Sequence, residues 1–145
     1  MLRPGVPQVS ENITVRSIVG RFLEHSRILY FHNNGKEEVF IGSADLMYRN
    51  LSRRVEVLTP VKDATLRRVL KETILGFYLK DNVNARELRS DGSYVRLKPG
   101  DGEKRFDSQL EFETVEFSPK RTEGKAAQSI KARPKKLDEV VSSAG

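Results

Sequence analysis

The chain has 145 residues, with 26 Lys and Arg against 20 Asp and Glu, a formal net charge of +6 and 37% hydrophobic residues, enough for one domain of ordinary size with a modest core. It has no Cys, no Trp and only two His, which excludes a disulfide scaffold, a thiol nucleophile, a Cys-based zinc site and a poly-His metal centre. No run approaches the ~20 apolar residues of a membrane helix, and residues 1–7 lack the apolar stretch of a secretory signal, so the expected setting is the cytoplasm.

Residues 1–12 carry Pro and Gly and read as a loop entering the domain. The β-branched run 13–19 predicts a strand, with a helical turn running on through Phe22 and Leu23 as its competitor. Residues 27–32 and 39–42 predict two further strands, and Asn33-Asn34-Gly35-Lys36 between them has the residue types that tolerate positive φ, so a hairpin follows. A short helical turn fits 46–48. Residues 53–58 predict a third strand ended by Pro60, after which Asp63 is placed to cap a helix over 64–79. The apolar positions Leu66, Val69, Leu70, Ile74 and Tyr78 fall on one face of that helix. Residues 85–88 and 94–97 flank Ser90-Asp91-Gly92-Ser93 as a second hairpin, and 107–117 fits a last short helix or a strand. Residues 118–145 hold seven basic and three acidic residues and no aromatic, and read as a solvated, disordered basic tail. The fold class is mixed α and β, a small sheet with a β-hairpin and flanking helices, over residues 1–117.

His25-Ser26-Arg27 stands immediately before the first hairpin strand. In an extended run His25 and Arg27 share a face about 6.6–6.8 Å apart. An imidazole beside a guanidinium suits phosphate, because the ring can move a proton or attack phosphorus while the fork binds oxygens in pairs. Taken alone, the pair reads as an ordinary surface or strand-edge histidine. The return strand ends in Gly42-Ser43-Ala44-Asp45, whose small residues allow close backbone approach and whose Ser43 and Asp45 can orient an imidazole at the same end of the hairpin. The competing reading of that stretch is a cap on the turn at 46–48. Arg49, Asn50 and Arg53 follow as candidates to bind or orient phosphate, whereas Arg54 and Glu56 can simply pair with each other. His32 precedes a polar turn and receives no role. No metal ligands are assigned.

The pattern His25-Ser26-Arg27, a hydrophobic strand, then Gly42-Ser43-Ala44-Asp45 resembles the His-x-Lys…Gly-Ser-x-Asn pattern of the phospholipase D superfamily. Arg at position 27 and Asp at position 45 are departures shared by one branch, the long-chain polyphosphate kinases, and the chain is similar to their C-terminal domain over about residues 2 to 117. Residues 2–5, 10–13, 21–27, 41–45, 49–51 and 53–57 carry the likeness, with 91–94 and 107–109 further on. Leu46 stands where the family commonly has Trp.

That resemblance implies reversible transfer of the ATP γ-phosphate to polyphosphate. Two phospholipase D-like halves face each other in such enzymes, and the histidine of the preceding half becomes phosphorylated. His25 matches the other histidine, thought to act as acid/base or to stabilise the transferring group, with Arg27 and Arg49 or Arg53 supplying positive charge. ATP or ADP, polyphosphate and the preceding His-bearing domain are the implied partners, with magnesium arriving as part of the ATP complex and no tightly bound cofactor. Peripheral contact with the inner membrane and homo-oligomerisation stay open, and no specific nucleic acid is expected. The fold is expected to be incomplete at its N-terminal edge, where the strand preceding position 2 is missing. With one of two histidine patterns the chain is half a site, expected to have little or no kinase activity alone. The alternatives are a phosphodiesterase or nuclease whose two half-sites meet across a homodimer, and a non-catalytic polyanion-binding module built on the tail and the arginines.

Overall fold

A computed structural model describes residues 2–116; the predicted disordered basic tail at 118–145 lies outside the described residues. Two antiparallel sheets of three strands each form the framework. The strands and helices, in chain order, are β1 (Arg16–Ile18), β2 (Ile28–Phe31), β3 (Glu38–Gly42), α1 (Tyr48–Arg53), β4 (Leu58–Pro60), α2 (Ala64–Arg68), a π-helical stretch (Val69–Leu75), α3 (Gly76–Lys80), β5 (Ala85–Leu88), β6 (Tyr94–Arg96) and α4 (Ser108–Thr114). One sheet has the order β1-β5-β6 and the other β2-β3-β4.

The β2–β3 hairpin pairs Ile28 with Ile41, Leu29 with Phe40, Tyr30 with Val39 and Phe31 with Glu38. Its tip is a single 3₁₀ turn, Asn33–Gly35, in which Asn33, Asn34 and Gly35 all have positive φ (43°, 50° and 86°). Those are the residues that adopt the left-handed region at least cost, so the hairpin forms where the sequence predicts it. At the open end the Gly42 amide donates to the Arg27 carbonyl at 3.1 Å, which brings the two predicted site segments side by side.

Four expected elements differ, the first being the helical turn expected at 46–48, which is displaced to α1 with Met47 extended before it. The strand predicted over 13–19 shrinks to β1, because the Ile13 amide is already bonded to the Ser10 carbonyl (3.0 Å) in a loop that closes around the buried Ser10 side chain. The strand predicted over 53–58 moves to β4. Arg53 closes α1, and Val57 spends its amide on Ser43 Oγ (3.1 Å) and its carbonyl on the Ser43 amide (3.0 Å), so ladder pairing with β3 starts at Leu58. Pro60 lies inside β4, opposite Phe40; β4 is an edge strand, where a missing N–H is tolerated. The helix predicted over 64–79 is helical throughout and starts where expected, with Asp63 accepting from the Leu66 amide at 2.9 Å. Its middle, however, widens into the π stretch. The segment after 107 is a helix, α4, capped by Asp107 accepting from Gln109 and Leu110 amides (3.1 and 3.2 Å).

The apolar core is thin. Val39, Ala85 and Leu88 are its buried aliphatics, supplemented by a ring cluster in which Phe77 meets Phe106 and Phe112 at 5.3 and 5.2 Å, and Tyr78 meets Phe112 at 5.1 Å. A polar knot ties the elements together. The buried Asp81 carboxylate accepts five hydrogen bonds, from the amides of Val83, Asn84, Ala85 and Ser108 and from Ser108 Oγ, over 2.6–3.0 Å. Burial acts to raise the Asp81 pKa, but the Ser108, Asn84 and Val83 bonds outweigh it and the group stays ionised below the ordinary carboxylate range. The end of α3, the start of β5 and the start of α4 thus share one anchor.

Candidate functional site

His25 and Arg27 lie in the stretch leading into β2, and Asp45 in the stretch leaving β3. The Arg27 guanidinium joins all three. Its Nε reaches Asp45 Oδ1 at 2.8 Å and its Nη2 reaches Asp45 Oδ2 at 3.2 Å, a two-pronged ion pair. On its other side Nη2 lies 2.5 Å from His25 Nε2 and Nη1 lies 3.3 Å from His25 Nδ1. A guanidinium only donates, so a ring nitrogen bonded to it offers its lone pair. The hydrogen bond from Arg27, supported by the charges of Arg27 and Arg49, outweighs desolvation and holds the Asp45 carboxyl below the usual carboxylate range. The same bond to Asp45 leads the causes that raise the Arg27 pKa.

A second polar cluster sits beside the first. Glu56 accepts from Ser43 Oγ and from Asn50 Nδ2, the latter at 2.8 Å. The Ser43 bond first, and the Asn50 bond second, lower its pKa. Here the side-chain partners differ from expectation. Neither Ser43 nor Asp45 hydrogen-bonds to the imidazole; each fixes a neighbour instead. Arg54 does not pair with Glu56, whose oxygens are taken by Ser43 and Asn50, and acts on it only through its charge. Asn50 is buried, at 3% exposure, so its amide braces Glu56 while its Oδ1 has no partner. Arg49 is exposed and close enough for its charge to act on Asp45. Arg53 turns to the Tyr48 ring, 5.7 Å from its centroid, and stands apart from the His25–Arg27–Asp45 chain. His32 is exposed at the hairpin tip, 3.4 Å from the Tyr30 hydroxyl.

Gly42 is where two backbones close on each other. A Cβ there would sit 3.1 Å from both the Val57 carbonyl oxygen and Leu58 Cδ1, so a side chain would push β4 away from the corner that holds Ser43 and Asp45. Among the described residues no group of three or more His, Asp or Glu is arranged to hold a metal ion.

The segment carrying His25 has further supports that no local motif announces. Glu24 accepts from the Tyr78 hydroxyl and, at 2.6 Å, from Gln109 Nε2. Gln109 also bonds both backbone groups of Phe22, accepting from its amide at 3.1 Å and donating to its carbonyl at 2.7 Å. Burial first, then the Glu24 bond, raise the Tyr78 phenol above its ordinary range, with Ser26 as an opposing hydrogen-bond partner.

The model of the family described as "Polyphosphate kinase C-terminal domain 2" matches residues 1–109. The chain belongs to this family. Among the curated relatives, a polyphosphate kinase of Synechocystis sp. is 51% identical over 129 residues, 89% of this chain and 17% of that protein. A polyphosphate kinase of Burkholderia lata is 58% identical over 99 residues, 68% of this chain and 14% of that protein. The crystal structure of polyphosphate kinase from Porphyromonas gingivalis superposes with a TM-score of 0.69 at 47% identity, covering 74% of this chain and 16% of that one. The polyphosphate kinase C-terminal domain 2 chain therefore spans about a sixth of the length of such relatives. Its mixed α and β fold agrees with the one expected from sequence, and no helix among the described residues is long and apolar enough to cross a membrane.

Proposed function

We propose that this chain supplies the C-terminal half of a polyphosphate kinase active site, with His25 and Arg27 handling the phosphoryl group as it passes between ATP and polyphosphate. The observation that carries the reading is the His25–Arg27–Asp45 chain at the open end of the hairpin. It presents the exposed His25 ring, which accepts from Arg27 through one nitrogen and can carry a proton on the other, beside a fixed guanidinium, within a stretch matched by the family. Phosphoryl transfer depends mainly on positioning and on neutralising charge spread over the phosphate oxygens. Asp45 and His25 together fix the guanidinium plane, so the one Nη1 proton outside those contacts can meet a phosphate oxygen without the group first being ordered. Arg27, Arg49 and Arg54 against Asp45 and Glu56 leave this corner with a net charge of +1, of the sign a polyphosphate or nucleotide tail requires.

In this reading a phosphohistidine forms on the domain that precedes this one in the family, and His25 donates or accepts a proton, or stabilises the group in flight. Ser43, Asn50 and Glu56 hold the corner together, with Arg49 as the additional phosphate contact. Magnesium belongs to the substrate as its ATP complex; the described residues offer it no cage of their own. The chain alone, incubated with ATP and magnesium, is expected to make no polymer, and efficient synthesis would overturn the half-site reading. When the chain is reconstituted with the preceding domain, His25→Ala is expected to lower turnover by about 10²–10⁴-fold, the usual effect of losing a general acid or base. Polyanion binding that survives His25→Ala but vanishes without residues 118–145 would favour the binding-module alternative.

A further inference from the structure

The residues around His25 divide by direction. Glu24, which precedes His25, accepts from the Tyr78 hydroxyl and from Gln109 Nε2, whereas His25 and Arg27 engage each other. That is the alternation an extended chain imposes. Yet residues 23–27 are not part of a strand, so ladder pairing does not fix which way the alternation faces. The constraint comes from elements more than 50 residues away in sequence, α3 and α4. Gln109, 5% exposed, uses its whole carboxamide on this segment: Oε1 on the Phe22 amide, Nε2 on the Phe22 carbonyl and on Glu24. The loop before His25 comes so close to it that a Cβ at Gly20 would lie 2.4 Å from Gln109 Oε1 and 2.8 Å from Cδ. Tyr78 in turn is braced against Phe112.

We infer that Tyr78 and Gln109 are positioning residues for His25, clamping the inward side chain and backbone of residues 22–26 so that the imidazole faces Arg27 and an incoming phosphate chain. The clamp rests on the reading of His25 as the phosphoryl-handling residue, but its geometric content can be read without it. If the clamp is loosened, the unpaired segment is free to rotate. The His25–Arg27 contact is then lost while the Arg27–Asp45 pair persists, because the Arg27 carbonyl stays bonded to the Gly42 amide.

The test uses the full 145-residue chain with its two imidazoles labelled, His32 serving as the internal control. Long-range ¹H–¹⁵N spectra and nuclear Overhauser contacts between the His25 ring and the Arg27 guanidinium are recorded for wild type, Gln109→Ala and Tyr78→Phe. Tripolyphosphate affinity is measured on the same samples. Tyr78→Phe keeps the ring that packs on Phe112 and removes only the hydroxyl, so it decides the matter if Gln109→Ala does not fold. The expected result is loss of the His25–Arg27 contact with unchanged His32 signals and native amide dispersion, together with about a tenfold fall in tripolyphosphate affinity. A purely structural role would lower the melting temperature and leave the His25 signals of the folded variants as in wild type, and that outcome overturns the clamp. Wild type that keeps the His25–Arg27 contact but binds tripolyphosphate no better than His25→Ala would instead sink the phosphoryl-site reading and leave the clamp standing.

Discussion

At the scale of single residues, the site is organised by one guanidinium with two obligations, to Asp45 through a fork and to His25 through its far edge. A lysine carries the charge but not the planar fork. Arg27→Lys is therefore expected to release either Asp45 or the imidazole, and to weaken tripolyphosphate binding by about three- to tenfold. Isothermal titration at fixed ionic strength measures this, and an undiminished affinity would show that charge alone matters. The Asp45 partner also sets a pH limit. Its folded-state pKa lies below the ordinary value because Arg27 bonds to the ionised form. The pair's contribution is thus complete above the unfolded carboxylate pKa near 4 and is lost as pH falls through the lowered value. Between pH 5 and 8 any pH dependence of anion binding must come from another group. His25, Arg27 and the corner at 42–45 could be read from sequence because strand alternation and a hairpin turn bring them to one end. The partners of Ser43 and Asn50 could not, since both reach Glu56 only after Val57 has been diverted from the expected strand.

At the scale of elements, the anchoring is polar where a larger domain would use packing. Asp81 joins α3, β5 and α4 with five accepted hydrogen bonds and little exposed surface. Asp81→Ala strands several buried donors, each costing about 1–3 kcal/mol, so a loss of about 3 kcal/mol or more is expected in chemical denaturation. Depression of the Asp81 pKa in the fold adds a pH signature: stability is fully present above about pH 4 and drains as pH drops through the lowered value. A variant that unfolds at the wild-type midpoint would show the knot to be dispensable. The hairpin and the Asp63 cap were legible because each is a local event with a residue type suited to it. Tyr78 and Gln109 were not, because nothing in the apolar spacing of the 64–79 helix or in the polar run at 107–109 says that their side chains meet a loop more than 50 residues earlier.

At the scale of the whole molecule, apolar side chains are poorly covered. Val55 is 99% exposed, and Leu23 and Leu46 are each 88% exposed, while three aliphatic residues make up the buried core among the described residues. Such a chain has little hydrophobic stabilisation to set against its conformational entropy. A broad, low-enthalpy thermal transition with marked binding of a hydrophobic dye is expected; a sharp transition above about 65 °C without dye binding would contradict it. The passage between the two sheets runs through residues 64–80, and the π stretch occupies its middle. Each residue of an α-helix turns the next by about 100°, and a wide turn absorbs roughly one residue without the usual advance. Everything beyond Leu75 is consequently dialled round relative to a regular helix, and Tyr78 is three residues beyond it. The winding of that segment decides which side of α3 looks toward Glu24, so trimming one residue there would swing the phenol off its carboxylate with every site residue intact.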